Sequence, residues 1–131
     1  MKHTIQSSPR AFVRLLLIAM LSAHTAGAAT ITLADPTIFY ENGVYYLSGT
    51  SAVNEGFSMY SSTDLVHWTS RAGKSTNGLA LAKADVFGTK NFWAPQIFKK
   101  GDTYYMAYAA EEQIAIASAD SPAGPFRQET H

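Results

Sequence analysis

The stretch PTIFYENGVYY, residues 36–46, returns as PQIFKKGDTYY at residues 95–105. Both copies open on a proline and end on a tyrosine pair, and one offset of 59 residues (36 to 95) aligns them throughout. Each copy has two β-favouring runs around a turn signal, Asn42-Gly43 in the first and Gly101-Asp102 in the second. A repeat of this length, built from short strands, is typical of a propeller or another repeat architecture.

A third strand is predicted after each hairpin, at residues 57–61 (FSMYS) and 114–118 (IAIAS). Turns then lead to a short outer strand at residues 67–69 in the first unit and to an outer edge at residues 120–126 in the second. Trp68 and Phe126 fall in matching places near the ends of the units as bulky apolar plugs. The Ala/Leu-rich patch at residues 79–84 is too short to predict a helix. We therefore predict an all-β protein with two antiparallel blades.

The N-terminus reads as an export signal. Lys2, Arg10 and Arg14 precede the apolar run LLLIAML at residues 15–21, and a small-residue cleavage site follows at residues 26–28. The run is too short to cross a bilayer, which takes roughly 20 residues. We expect residues 1–28 to be a secretory signal peptide and residues 29–131 to be the mature chain, secreted or periplasmic and free of the membrane after cleavage.

Composition excludes several function classes. The formal net charge is zero and 15% of residues are charged, so no basic patch points to nucleic acid as a partner. The absence of cysteine excludes disulfides, thiol catalysis and thiolate metal sites. No zinc pattern, Ser-His-Asp order or phosphate-binding glycine loop occurs, so neither a metal nor a cofactor is expected.

Four segments together resemble glycoside hydrolase family 43. These are residues 34–47 (ADPTIFYENGVYYL), 62–68 (STDLVHW), 92–97 (FWAPQI) and 121–126 (SPAGPF). The resemblance implies a five-bladed β-propeller, of which two blades are present and the ring is incomplete. We expect the chain to be the N-terminal part of a longer protein, because two blades alone leave a sheet face and an edge uncovered. A complete small β-domain that dimerises is the alternative.

The resemblance also implies a reaction. Members of this family are inverting glycosidases that act mostly on arabinose- and xylose-containing plant polysaccharides. The match places the general base at Asp35, while the Asp that tunes the acid and the Glu that is the general acid would lie beyond His131. The expected partner is an oligosaccharide or polysaccharide, and the chain alone is expected to be inactive. A non-catalytic carbohydrate-binding propeller remains the alternative function.

Local chemistry leaves the role of Asp35 open between a catalytic base and a strand-start carboxylate that accepts backbone hydrogen bonds. Pro36 biases Asp35 towards an extended backbone. Trp93 is a candidate for stacking on a sugar ring, with packing inside the blade as the alternative. Gln96 is a candidate for bonding a sugar hydroxyl, although family members often carry an acidic residue there.

The remaining polar residues receive structural interpretations. Adjacent strand residues point to opposite faces, so Glu111 and Glu112 are not expected to share one site, and neither is expected to be the general acid. Asp64 is expected to bond backbone amides of a turn, and His67 has no partner at metal or triad spacing. Asp85 is expected to be a solvated loop residue. A further prediction assigns Phe92 to packing.

Overall fold

The computed structural model describes residues 30–128. The predicted signal peptide, residues 1–28, lies outside the described residues. In the described part no helix has the length and apolar character needed to cross a membrane. Apart from two short 3-10 helices, its regular elements are strands: β1 (Ala34–Glu41), β2 (Val44–Thr50), β3 (Gly56–Ser58), β4 (Tyr60–Ser62), β5 (Thr69–Ser70), β6 (Leu79–Ala82), β7 (Trp93–Lys100), β8 (Thr103–Ala110) and β9 (Gln113–Ala119).

The strands form two blades and a separate two-stranded sheet. Blade 1 is an antiparallel sheet in the order β1-β2-β4-β5, and blade 2 is a sheet in the order β7-β8-β9. Strands β3 and β6 pair separately. An isolated antiparallel bridge pairs Arg127 with Ser118 of β9, so a fourth segment of the chain lies along that edge of blade 2. The all-β prediction with two repeated blades is confirmed, and within residues 30–128 the blades do not close a ring.

The first hairpin follows from its turn residues. Asn42 and Gly43 both have positive φ, 51° and 82°, which is the conformation of the mirror-image turn that matches strand twist and that Asn-Gly favours. Strand β1 therefore pairs with β2 from Glu41 opposite Val44 back to Thr37 opposite Ser48. The repeat places the second hairpin, β7 with β8, in the same register relative to its tyrosine pair.

The third strand predicted at residues 57–61 is wrong as a single element. The chain changes sheet at the fully buried Met59, so β3 pairs with β6 and β4 pairs with β2. Ser48 supports this crossing, because its hydroxyl donates to the Ser58 carbonyl oxygen at 2.8 Å. The outer strand predicted at residues 67–69 begins instead at Thr69, and the Ala/Leu-rich patch is strand β6 followed by a 3-10 helix over Lys83–Asp85.

The hydrophobic core lies between the blades and around the β3–β6 pair. Its largest fully buried side chains include Phe57, Phe92, Phe126 and Met106. The ring of Phe92 lies 5.9 Å from those of both Phe57 and Tyr108. The prediction that Phe92 packs is confirmed. Of the two expected plugs, Phe126 is buried and Trp68 is only half-buried.

One polar cluster crosses from blade 1 to blade 2. The Lys99 ammonium lies 2.6 Å from a Glu41 carboxylate oxygen, and the Tyr104 hydroxyl donates to the other oxygen. Phe39 meets the Tyr104 ring edge-on at 5.9 Å. The lysine hydrogen bond, followed by that from Tyr104, holds the pKa of Glu41 below its usual range. Aromatic contact and a carboxylate together therefore join the two blades.

Each blade also has an uncovered face. Ile38 and Tyr40 of β1 point away from blade 2 and are 53% and 56% exposed. On blade 2, Ile114 and Ile116 of β9 are 85% and 52% exposed, while the alternate alanines of that strand are buried. These are the faces that a neighbouring blade covers in a closed propeller.

Candidate active site

A β-bulge lies at the start of the inner strand of each blade. The pairing of β1 with β2 shifts between Ala34 and Thr37, which leaves Asp35 and Pro36 in the bulge. The pairing of β7 with β8 shifts between Trp93 and Gln96 in the same way. Bulges re-aim side chains where a strand begins or ends. Asp35 is exposed, so its carboxylate reaches solvent at this end of blade 1.

The expectation of an extended backbone at Asp35 is wrong, because its φ is 47°. The bulge overrides the local preference of a residue that precedes proline. A non-glycine residue in this region costs about 1–3 kcal/mol and persists only where its surroundings hold it. Gly49 allows the necessary close approach, since a Cβ there would stand 2.7 Å from the Ala34 carbonyl oxygen.

Thr50 connects the two bulges. Its hydroxyl donates to Asp35 Oδ2 at 2.9 Å and accepts the backbone N–H of Ala94 at 2.8 Å. Within residues 30–128, the Asp35 carboxylate accepts a side-chain hydrogen bond from Thr50 alone. Its second oxygen, Oδ1, accepts no hydrogen bond from these residues. Neither Thr50 nor Ala94 was predicted from the sequence as a site residue. The alignment of the two repeats contained part of the signal, because it sets Ala94 opposite Asp35.

The two predicted sugar-binding residues flank the second bulge. Trp93 begins β7 and is 38% exposed, in contrast to the buried Phe92 beside it. Gln96 is exposed after the bulge, and its side-chain amide donates to the Ile97 carbonyl at 3.2 Å. Trp93 thus precedes the residue whose N–H binds Thr50. No hydrogen bond joins Gln96 to Asp35 within residues 30–128.

The glutamate pair forms the turn between β8 and β9. Glu111 and Glu112 both have positive φ, 51° and 61°. The Glu111 carboxylate accepts the Thr89 hydroxyl at 2.7 Å and the Thr89 N–H at 3.0 Å. These two bonds hold the pKa of Glu111 below its usual range. Glu111 therefore fastens the segment before β7 as an anion, a state unsuited to a general acid.

Asp64 stands at the centre of the turn after β4. Its carboxylate accepts the backbone N–H groups of Val66 and His67 at 2.9 and 2.8 Å, which confirms the predicted turn role. His67 lies 2.6 Å from the other carboxylate oxygen. The His67 side chain, with these backbone bonds, holds the pKa of Asp64 well below its usual range. His67, for which no partner at metal or triad spacing was expected, is thus an exposed hydrogen-bond partner of Asp64.

Ser62 also bonds Asp64, at 3.0 Å, but the three residues do not form a catalytic triad. In a triad the histidine lies between the serine and the carboxylate. Here the carboxylate lies between the other two, and Ser62 is buried at 4% exposure. Asp85, expected to be solvated, is half-buried and accepts the Ser75 hydroxyl at 3.1 Å. Both constellations serve the fold.

The family model of glycosyl hydrolases family 43 matches residues 29–131. The chain belongs to this family. The resemblance read from the four sequence segments is therefore confirmed, and the bulge at Asp35 lies within the matched residues.

Several solved structures share this arrangement. An endo-1,4-β-xylanase from Bacteroides thetaiotaomicron is 39% identical with a TM-score of 0.67, covering 75% of this chain and 33% of that protein. A thermostable family-43 glycoside hydrolase is 34% identical with a TM-score of 0.66, covering 79% and 34%. An endo-arabinase from Bacteroides thetaiotaomicron is 29% identical with a TM-score of 0.61, covering 76% and 35%.

The chain thus spans about a third of the length of these structures. A comparison with curated proteins found no match. The partial propeller fold of the described residues is shared with these enzymes.

Proposed function

We propose that the protein carrying this chain is a glycoside hydrolase that breaks O-glycosidic bonds with inversion, and that Asp35 is its general base. One observation carries the assignment of the base. The bulge of this family-43 chain presents an exposed carboxylate with one oxygen bound to Thr50. The other oxygen is then free to take a proton from water.

The chemistry needs two carboxyl groups in different protonation states. An ionised carboxylate accepts a proton from water as the water oxygen attacks the anomeric carbon. A protonated carboxyl on the opposite face gives its proton to the leaving glycosidic oxygen, about 6.5–9.5 Å from the base. Asp35 is accessible and pre-positioned for the first role.

The resemblance to family 43 implies that a later Glu, outside residues 30–128, takes the second role. Glu41, Asp64 and Glu111 are each held as anions by hydrogen bonds that lower their pKa values. From the family resemblance we propose that the general acid comes from a segment that residues 30–128 do not include, and that these residues alone are inactive; the state of these three carboxylates agrees with that.

The proposed substrate is a plant polysaccharide or oligosaccharide that contains xylose or arabinose. Similarity to a protein described as an endo-1,4-β-xylanase and to one described as an endo-arabinase supports this class. The partly exposed aromatic side chain of Trp93 could stack on a sugar, and Gln96 carries an exposed polar side chain on the other side of the same bulge. A plant polysaccharide is met outside the cell, which agrees with the export proposed from residues 1–28.

The test compares Asp35→Asn with Asp120→Asn in the complete gene product. Asp120 is an exposed turn aspartate at the end of β9, so its change is a matched control. Hydrolysis of xylan, arabinan and aryl pentosides is followed, with the anomeric form of the product read by NMR. We expect Asp35→Asn to lower kcat by about 10²–10⁴-fold and Asp120→Asn to leave it unchanged.

Three outcomes would contradict the proposal. Wild-type turnover in Asp35→Asn removes the base assignment, and retention of configuration removes the inverting mechanism. Saccharide binding without turnover in the wild-type protein favours the non-catalytic carbohydrate-binding alternative.

A further inference from the structure

We infer that Thr50 is a positioning residue that orients the Asp35 carboxylate, and that the backbone of the second blade orients Thr50 in turn. This inference rests on the proposed role of Asp35 as a base. It adds that the site is built jointly by blade 1 and blade 2, through a hydroxyl that bridges residues 35 and 94.

The direction of the bridge follows from the groups that form it. A threonine hydroxyl has one proton to donate and two lone pairs that accept. The Ala94 N–H, 2.8 Å away, can only donate, so the hydroxyl meets it with a lone pair. The hydroxyl proton is then free for Asp35 Oδ2 at 2.9 Å. With Asp35 ionised, as a general base must be, the hydrogen bonds therefore run from the Ala94 N–H to Thr50 and from the Thr50 hydroxyl to Asp35.

This arrangement gives the two carboxylate oxygens different tasks. Oδ2 accepts a charge-assisted hydrogen bond, which is stronger than a neutral one. The bond restrains rotation of the carboxylate and leaves Oδ1 to face the attacking water. Misplacement of a reacting group by about 1 Å can cost about 10²-fold in rate. Loss of this single hydroxyl is therefore expected to lower kcat strongly.

The position of Thr50 explains why it can bridge the blades. It is the last residue of β2 and stands opposite Ala34, next to the first bulge. The second bulge presents the Ala94 N–H because that residue lies outside the β7–β8 pairing and has φ of 49°. The two equivalent bulges thus contribute different groups: the Asp35 carboxylate in blade 1 and the Ala94 N–H in blade 2.

The experiment replaces Thr50 in the complete gene product by valine, which keeps the shape and removes the hydroxyl, and by serine, which keeps the hydroxyl. We expect Thr50→Val to lower kcat about tenfold to a hundredfold with KM within about threefold, and Thr50→Ser to restore most of kcat. Thr69→Val is the control, because Thr69 is an exposed strand threonine on the outer edge of blade 1.

A second readout does not depend on turnover. The Ala94 amide proton resonance is expected to move upfield in Thr50→Val, where its acceptor is lost, and to stay near its wild-type position in Thr50→Ser and Thr69→Val. Wild-type kcat in Thr50→Val, or equal losses in Thr50→Val and Thr50→Ser, would overturn the inference.

The two proposals fail separately. If Asp35→Asn keeps full activity, the base assignment fails, whatever Thr50 does. If Asp35→Asn is inactive and Thr50→Val is fully active, only the role of Thr50 fails. Should Thr50→Val not fold, Thr50→Cys takes its place, since a thiol is only a weak donor and a weak acceptor. The same selective loss of kcat is expected there, and wild-type kcat would again overturn the inference.

Discussion

Asp35 and Ala94 hold the same position in the repeated blade and have the same left-handed backbone, with φ of 47° and 49°. Each precedes a proline and each lies in a bulge of the inner strand. Since Ala94 has no side chain for chemistry, the strained conformation belongs to the construction of the blade. The carboxylate at Asp35 and its link to Thr50, more than the strain, therefore distinguish the first bulge as the candidate site.

Relief of this strain should be measurable at Ala94. A left-handed conformation costs an alanine about 1–2 kcal/mol, and glycine avoids that cost while losing about 0.5–1 kcal/mol in chain entropy. We expect Ala94→Gly to raise the free energy of unfolding by about 0.5–1 kcal/mol in urea titration. Ala107→Gly, in the middle of β8, should lower it by a similar amount. Equal destabilisation by both changes would disprove this account.

Substitution of two adjacent aromatic residues should separate an effect on the free energy of unfolding from an effect on substrate binding. Phe92 is fully buried against Phe57 and Tyr108, so Phe92→Ala is expected to cost about 3–5 kcal/mol of unfolding free energy. Trp93 is 38% exposed, and Trp93→Ala should cost about 1 kcal/mol while raising KM roughly twofold to tenfold through lost stacking. An unchanged KM would assign Trp93 to packing.

The Glu41–Lys99 ion pair should contribute more than an ordinary surface pair. A double-mutant cycle with Glu41→Gln and Lys99→Met is compared with Glu55→Gln and Lys83→Met. The Lys83–Glu55 pair is 3.3 Å apart with side chains 42% and 65% exposed, and should couple by about 0–1 kcal/mol. The shorter and less exposed Glu41–Lys99 pair, which Tyr104 also bonds, should couple more strongly.

The pH dependence of the Glu41 contribution has a definite sign. Because Lys99 and Tyr104 lower the pKa of Glu41 in the folded protein, the stabilisation is complete above its unfolded pKa of about 4.3. It is lost as pH falls through the folded pKa. The coupling measured at pH 7 should therefore shrink at pH 3, and a coupling that is constant over this range would contradict the assignment.

Tyr108 should contribute to the loss of stability at alkaline pH. Burial raises the pKa of its hydroxyl to about 12. Because the folded pKa lies above the unfolded value of about 10, stability is complete below pH 10 and falls as pH rises towards 12. Tyr108→Phe should weaken this decline in thermal unfolding scans from pH 9 to 11.5. The change also removes a 2.9 Å bond to the Phe87 carbonyl, so the variants are compared by their slopes with pH.

The sequence predicts the hairpins because their signals are local. Asn42-Gly43 specifies its own turn type, and the repeat transfers the strand pattern to β7 and β8. The division of residues 57–61 at Met59 is not local, since it depends on β6 being available to pair with β3. A contiguous alternating pattern cannot show that its two halves join different sheets.

The candidate site also combines features that the sequence predicts with features that it does not. Asp35 was recognisable from a family motif, whereas its φ and its partner were not. The bridge joins residues 50 and 94, which are far apart in sequence and meet only because two bulges face one strand end. The alignment of the repeats identified Ala94 as the counterpart of Asp35, but hydrogen-bond direction required the backbone geometry.

The Glu41–Lys99 contact also distinguishes one neighbouring blade from another. The repeat offset maps Glu41 to Lys100 and Lys99 to Tyr40. If blade 2 of a second molecule docked on the uncovered face of blade 2 in the blade 1–blade 2 manner, its Lys99 would oppose Lys100. Like charges would then replace the ion pair, which disfavours stacking of identical blades. The repulsion between Lys99 and Lys100 therefore opposes self-association through the face that exposes Ile114 and Ile116.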